Sequence, residues 1–151
     1  MGDLLESLAA LLDGETDMLA NAANVAALLF ERISAINWVG FYFLREAAGG
    51  QTLVLGPFQG KVACTRIKLG QGVCGTAALR RETLIVPDVQ AFAGHIACDA
   101  SSRSEIVVPL IREGVLVGVL DIDSPCSNRF SEADARCFEQ VAAMLMRESW
   151  S

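Results

Sequence analysis

A chain of 151 residues has the size of one ordinary domain, so we expect a single domain over residues 1–151. Hydrophobic residues make up 52% and charged residues 20%, a balance that excludes an intrinsically disordered chain. Acidic residues outnumber basic ones by 18 to 12, and a net charge of −6 with no basic run argues against nucleic-acid binding.

The amino terminus and the hydropathy pattern indicate where the protein works. The first residues, Met1-Gly2-Asp3, lack the basic stretch of a secretory signal, and no apolar run reaches the roughly 18 residues of a membrane span. We therefore expect a cytoplasmic protein with no membrane partner. In that compartment its five cysteines should be reduced at rest.

Two helices are expected first. Leucines recur at helical spacing from Leu4 to Leu12, and Thr16 is suited to cap a second helix that extends to about Ile33. The Ala- and Leu-rich face of this second helix suits equally the sheet or a partner subunit in a homodimer. The sequence leaves both alternatives open.

An aromatic strand follows over residues 38–44, with a second strand after a glycine-rich turn. Period-two alternation puts Trp38, Gly40 and Tyr42 on one face. The glycine between two rings offers a slot for an apolar or cationic ligand group, although plain core packing explains the pattern more simply.

A third strand is expected over residues 63–69, where strict alternation places Cys64 on one face with Arg66 and Lys68. Cationic neighbours favour the thiolate form of a cysteine. Cys64 is therefore a candidate for redox chemistry.

The next segment, Gly70-Gln71-Gly72-Val73-Cys74-Gly75, matches the spacing of a dinucleotide-binding loop. Its context argues against that function, because the strand before it is not a buried parallel strand and the helix after it is short. We interpret the segment as a glycine-rich turn that enters a short helix over residues 73–80.

Cys98 follows the only histidine of the chain, His95, by three residues and lies in a polar loop. Structural cysteines are usually buried, whereas reactive ones lie in polar, partly exposed surroundings. Cys98 is thus the first candidate for a reactive thiol. The alternative is a half-buried loop thiol beside a hydrogen-bonded histidine.

An apolar hairpin with a turn at Glu113-Gly114 comes next. Alternation predicts one face for Val115, Val117, Val119, Asp121 and Asp123. Antiparallel pairing would bring Glu105 beside the two aspartates. Three acids at one rim would raise at least one carboxyl pKa, giving a group that holds a proton near neutrality or binds a cation. The alternative is a solvated strand end.

The order of the elements predicts an α+β fold, an antiparallel β-sheet flanked by helices that lie largely on one side. Ser131 and Asp134 form a capping-box pattern for the last helix. Cys137 on that helix is expected in the core, and Cys126 in the loop before it is expected at the surface.

Several segments, in order along the chain, resemble the free methionine-(R)-sulfoxide reductases, which are built on a single GAF-type domain. The resemblance spans about Ile36 to Phe130. It rests on the segments INWVGFYFL, LVLGPFQGKVAC, LGQGVCGTA, GHIACDASSRSEIVVPL and GVLVGVLDIDS.

The resemblance implies reduction of free L-methionine (R)-S-oxide to L-methionine by thiol chemistry. It assigns the catalytic cysteine to Cys98, the usual resolving cysteine to Cys64, and a third family cysteine to Cys74. A sulfenic acid and then a disulfide would form, and thioredoxin would reduce the disulfide. No metal and no organic cofactor are then expected.

The resemblance also implies the binding groups. Trp38 and Tyr42 would surround the substrate methyl group, and Glu105, Asp121 and Asp123 would be the acids that bind the substrate and take part in catalysis. A non-catalytic GAF sensor of a small ligand or of redox state is the competing class, although an acidic rim disfavours a nucleotide phosphate.

Overall fold

The computed structural model describes residues 2–94 and 101–150. Helices within these ranges are α1 (Gly2–Leu12), α2 (Met18–Arg32), α3 (Gly72–Arg80) and α4 (Glu132–Glu148). Strands are β1 (Trp38–Ala47), β2 (Gly50–Gly60), β3 (Arg66–Lys68), β4 (Leu84–Val86), β5 (Ser104–Arg112) and β6 (Val115–Ser124), and a single 3₁₀ turn covers Val89–Ala91. None of these helices has the length and apolar character needed to span a bilayer.

The six described strands form one sheet in the order β3-β2-β1-β6-β5-β4. Every neighbouring pair is antiparallel. The predicted α+β fold is therefore confirmed. An antiparallel sheet also lacks the parallel βαβ unit that a dinucleotide-binding loop requires, so the interpretation of residues 70–75 as a turn into a helix is confirmed.

The two faces of the sheet bury different helices. On one face α1, α2 and α4 enclose the larger core, whose fully buried members include Leu8, Leu29, Phe41, Phe138 and Leu145. On the other face the short helix α3 packs through Ala77 and Ala78 against Tyr42, Val107 and Val119. The helices thus lie largely on one side, as predicted. Of the described helices, only α3 covers the other face, which therefore has room for a pocket.

Helix α2 begins one residue later than predicted. Its N-cap is Asp17, whose side chain accepts a hydrogen bond at 2.9 Å from the amide of Ala20, so the assignment of the cap to Thr16 is wrong. A carboxylate directly before the helix reaches the third amide, and it also suits the positive end of the helix dipole. The capping box of Ser131 and Asp134 on α4 is confirmed.

A bulge in β6 changes the predicted pattern of the hairpin. Leu110 pairs with Gly118 but Ile111 pairs with Leu116, so Val117 is an extra residue between them. An inserted residue reverses the faces on either side of it. Accordingly Leu116 joins the cluster of Val119, and the shared face predicted for Val115 and Val117 with Val119 is wrong.

Strand β3 is shorter than predicted, because it pairs with β2 over three residues only. Cys64 lies before the strand and packs half-buried against the smaller core cluster, whereas Arg66 and Lys68 are exposed. The alternation expected over residues 63–69 therefore does not extend to Cys64. Cys137 is buried and Cys126 is exposed, as predicted.

Gly118 is a position where the sheet tolerates no side chain. A Cβ atom there would overlap the carbonyl oxygen of Tyr42 on β1, and no flexible group could move aside. We expect Gly118→Ala to lower the free energy of unfolding by about 3 kcal/mol or more, measured by urea denaturation. Gly49→Ala is the control, because nothing lies within 4 Å of its Cβ position. Equal stability of the two variants would contradict the packing of β1 against β6.

Candidate active site

A pocket opens on the α3 side of the sheet, where β1, β5 and α3 begin and β6 ends. Its described lining consists of Trp38, Tyr42, Val62, Ala63, Ile67, Gln71, Gly72, Val73, Cys74, Ser102, Glu105, Asp121 and Asp123. Strand register brings the predicted residues together, because Asp123 lies opposite both Trp38 and Glu105. Six residues singled out from the sequence therefore share one pocket.

The three acids form a buried cluster rather than a solvated strand end. Glu105 and Asp121 are 7% and 6% exposed, and Asp123 is half-buried. The Glu105 side chain is hydrogen-bonded to both aspartates. Burial, and then the charges of Asp121 and Asp123, raise the pKa of Glu105 well above its ordinary value. The predicted rise of at least one carboxyl pKa is confirmed at Glu105.

Cys74 projects from the first turn of α3 into this cluster. Its thiol donates a hydrogen bond to Oε2 of Glu105, with 3.9 Å between sulfur and oxygen. Burial, followed by the charges of Asp121 and Glu105, raises the pKa of the Cys74 thiol well above its usual range. The raised pKa disfavours the thiolate form of Cys74, and its thiol acts as a hydrogen-bond donor.

Aromatic rings form the opposite wall. The ring of Trp38 stacks on Tyr42 with centroids 6.1 Å apart and on Phe58 with centroids 5.3 Å apart. The slot expected above Gly40 is filled, because a Cβ atom there would overlap Cβ of Phe58 and lie 2.7 Å from the Trp38 ring. Core packing therefore explains the glycine. Phe58 went unnoticed in the sequence, although its position opposite Gly40 follows once the strand register is known.

The polar ends of two aromatic residues hold the segment that carries Cys64. Nε1 of Trp38 donates to the carbonyl of Lys61 at 3.0 Å, and the Tyr42 hydroxyl donates to the carbonyl of Cys64 at 2.9 Å. Burial and the charge of Asp121 raise the pKa of Tyr42, so its hydroxyl remains a donor. Both residues therefore line the pocket and also fix one of its edges.

The described cysteines differ in redox state. Cys64 is disulfide-bonded, whereas Cys74, Cys126 and Cys137 are free thiols. Cys98 and His95 lie outside the described residues, so the assignment of the catalytic cysteine stays a prediction.

Asn37 is a pocket-side residue that the sequence analysis missed. Its Nδ2 donates to the hydroxyls of Ser101 and Ser102 at 3.1 and 3.4 Å, and its backbone amide donates to the carbonyl of Asp123 at 3.0 Å. It thereby ties Ser101 and Ser102 to the end of β6. No local pattern marks such a residue, because its partners are distant in the chain.

The acid cluster is suited to a cation. One donor atom each from Cys74, Glu105 and Asp121 lies within 4.8 Å of the others, and all three residues are buried. A thiol and two carboxyl groups could surround a metal ion or an organic ammonium group. The expectation of a metal-free site stays a prediction.

The antiparallel sheet with helices on both faces and a pocket beside α3 is the architecture of a GAF domain, and the GAF domain family matches residues 7–148. "Free methionine-R-sulfoxide reductase" of Escherichia coli (strain K12) is 52% identical over 143 residues, 95% of this chain and 84% of that protein. The protein of the same name from Saccharomyces cerevisiae is 46% identical over 147 residues, 94% of this chain and 81% of that protein.

A solved structure supports the same grouping. The free methionine-R-sulfoxide reductase from Neisseria meningitidis in complex with its substrate matches with a TM-score of 0.92 and 45% identity, covering 97% of this chain and 86% of that chain. The chain belongs to the GAF-domain family, in the group of the free methionine-R-sulfoxide reductases.

Glu105→Gln tests the protonated carboxyl group through stability. A carboxyl pKa that is raised by folding contributes stability fully present below the ordinary glutamate pKa of about 4.3 and lost as the pH rises through the folded pKa. Glutamine cannot ionise, so the stability of Glu105→Gln relative to wild type should increase by about 1.4 kcal/mol per pH unit across that window. Urea unfolding between pH 5 and 8 measures the difference. Glu6→Gln, a change at an exposed glutamate, is the control. A pH-independent difference in stability between Glu105→Gln and wild type would contradict the buried proton.

Proposed function

We propose that this chain reduces free L-methionine (R)-S-oxide to L-methionine by cysteine chemistry. The observation that carries the proposal is the pocket in which a proton-holding Glu105 faces an aromatic wall beside the disulfide-bonded Cys64. A sulfoxide reductase needs an acid, an apolar place for a methyl group and redox-active sulfur. The resemblance to reductases that act on this substrate supports the same reaction here.

The first step forms methionine. The thiolate of Cys98 attacks the sulfoxide sulfur, and the S–O bond breaks as protons reach the oxygen, so that the oxygen ends on Cys98 as a sulfenic acid. Methionine leaves with its sulfur reduced by two electrons, and Cys98 is oxidised by two. Glu105 is the proton donor in this scheme, because its raised pKa keeps a proton available near neutral pH.

The second step regenerates the enzyme. The thiol of Cys64 attacks the sulfenic sulfur of Cys98, which releases water and forms a disulfide. A reduced dithiol protein such as thioredoxin then exchanges with that disulfide, restoring both thiols and becoming oxidised itself. The disulfide at Cys64 and the free thiol of Cys74 support Cys64 as the resolving cysteine. The cycle requires no metal or organic cofactor, and it requires a reducing compartment such as the cytoplasm.

Selectivity for the free amino acid follows from charge. The substrate ammonium group is assigned to Asp123, the least buried of the three acids. The carboxylate is assigned to backbone amides where α3 begins at Gly72, which lies on the pocket wall. The methyl group is assigned to the ring of Trp38. A peptide-bound methionine sulfoxide has neither terminal charge and should be rejected.

The central experiment measures methionine formed from free L-methionine sulfoxide, with the R and S epimers and a peptide-bound form assayed separately. Thioredoxin and its reductase regenerate the enzyme. We expect turnover of the free R epimer alone and a loss of at least about 10³-fold in Cys98→Ser, because the nucleophile is removed. Cys126→Ser, a change at an exposed cysteine, is the control. No methionine from wild type, even with a strong small dithiol, would refute the proposal and favour a ligand-sensing GAF module.

Asp123→Asn tests the ammonium site. Loss of one charge-assisted hydrogen bond costs roughly 1.5–3 kcal/mol, so KM for the free R epimer should rise about 10- to 100-fold with a smaller change in kcat. Steady-state kinetics of methionine formation measure both constants. Asp13→Asn, at an exposed turn, should leave them unchanged. A normal KM in Asp123→Asn would move the ammonium group to another acid.

A further inference from the structure

We propose that Cys74 is a positioning residue that stays a thiol throughout the catalytic cycle and orients the carboxyl group of Glu105 for proton transfer. The inference rests on the proposed reductase function and assigns a task to the third cysteine of the pocket. It also excludes Cys74 from disulfide formation during turnover.

The backbone around Cys74 is held tightly. The amide of Gly70 donates to the carbonyl of Gly75 at 2.8 Å, and the amide of Gln71 donates to the carbonyl of Lys68 at 3.0 Å. A Cβ atom on Gly75 would overlap the carbonyl oxygen of Lys68, so the helix start and the preceding turn are in close contact. Cys74 therefore has a fixed main chain, which suits orientation of a neighbour and opposes movement toward a distant sulfur.

The side chain of Cys74 is buried against the acid cluster. It is 4% exposed, its sulfur lies 3.9 Å from Oε2 of Glu105, and it is also hydrogen-bonded to Asp121. The raised pKa of this thiol keeps the proton on sulfur, which makes Cys74 a donor and a poor nucleophile toward a sulfenic acid.

Glu105 needs such a partner, because a carboxyl group has two equivalent oxygens and only one of them can carry its proton. With Oε2 accepting from Cys74, the proton is favoured on Oε1. The aspartates on β6 accept hydrogen bonds but, when ionised, cannot donate them. The thiol is thus a donor that an ionised aspartate cannot replace at Oε2 of Glu105.

Cys64 has the opposite properties. It is half-buried at the edge of the pocket, it is already disulfide-bonded, and it lies beside the exposed side chain of Val62. An external dithiol protein must reach the disulfide that it reduces. The accessible cysteine therefore suits resolution, and the enclosed one suits positioning.

The test compares Cys74→Ala, Cys74→Ser and Cys64→Ser in a single turnover of pre-reduced enzyme with the free R epimer and no dithiol. Alanine removes the donor, so methionine formation should slow about 10- to 100-fold, while serine, which retains a donor, should recover most of the rate. Cys64→Ser lacks the resolving thiol and should accumulate a sulfenic acid that dimedone traps. Cys126→Ala controls for loss of a thiol elsewhere.

The pH dependence gives a readout that a merely structural role would not produce. Groups facing Glu105 are Asp121 and Asp123 on β6, Tyr42 on β1 and Cys74 on α3. Of these groups, only Cys74 differs between wild type, Cys74→Ala and Cys74→Ser. A donor to the carboxylate favours the ionised form, so its removal in Cys74→Ala should move the alkaline fall in single-turnover rate to higher pH. In Cys74→Ser the fall should stay near that of wild type.

A measurement on wild type protects the inference against misfolded variants. Enzyme quenched in acid during turnover is denatured, alkylated and digested, and mass spectrometry then reports which cysteines are still thiols. We expect Cys74 fully alkylated while Cys64 and Cys98 are not. A disulfide at Cys74, or normal first-turnover methionine from Cys74→Ala followed by sulfenic acid accumulation, would overturn the inference. Failure of wild type to form methionine would instead refute the proposed function.

Discussion

Three carboxyl groups share the buried end of the β5–β6 hairpin, and their burial together with their mutual repulsion raises the pKa of the groups around them. Cross-strand pairing places Glu105 directly opposite Asp123, so strand register makes the repulsion unavoidable. Burial, and then the charges of the two aspartates, raise the pKa of Glu105 and favour its protonated form. Burial is also the largest cause of the raised pKa of Tyr42 and of Cys74, and the acids add to it. The pocket therefore favours the protonated forms of these three groups.

Strand β1 contributes side chains to both the core and the site, because its successive residues point to opposite faces of the sheet. Phe41 and its neighbours at odd positions of β1 enter the core under α1, α2 and α4, whereas Trp38 and Tyr42 form the wall of the pocket. The wall is rigid because each ring is packed on one side and hydrogen-bonded at its polar end. A change at either aromatic residue would disturb the cavity and the position of Cys64 together.

The parts of the site that could be predicted from the sequence depend on local geometry. A two-residue turn at Glu113 and Gly114, both with positive φ, sets the register of the hairpin, and the register brings the acids together. Phe58 and Asn37 act through contacts with residues far along the chain, so no spacing rule identifies them. The bulge at Val117 was hidden for a related reason, because the extra residue is visible only against its partner strand.

The reactivity of the cysteines is the property of the site that sequence patterns predict least well. Alternation assigned Cys64 to two cationic neighbours, yet Arg66 and Lys68 are exposed on a strand that begins after it. Cys74 carries no such signal, but burial and the neighbouring acids raise the pKa of its thiol. Reactivity depends on burial and on charges within a few ångströms, quantities that chain spacing does not encode. Burial therefore separates the two cysteines, since Cys64 is half-buried on the segment that Trp38 and Tyr42 hold, whereas Cys74 is enclosed.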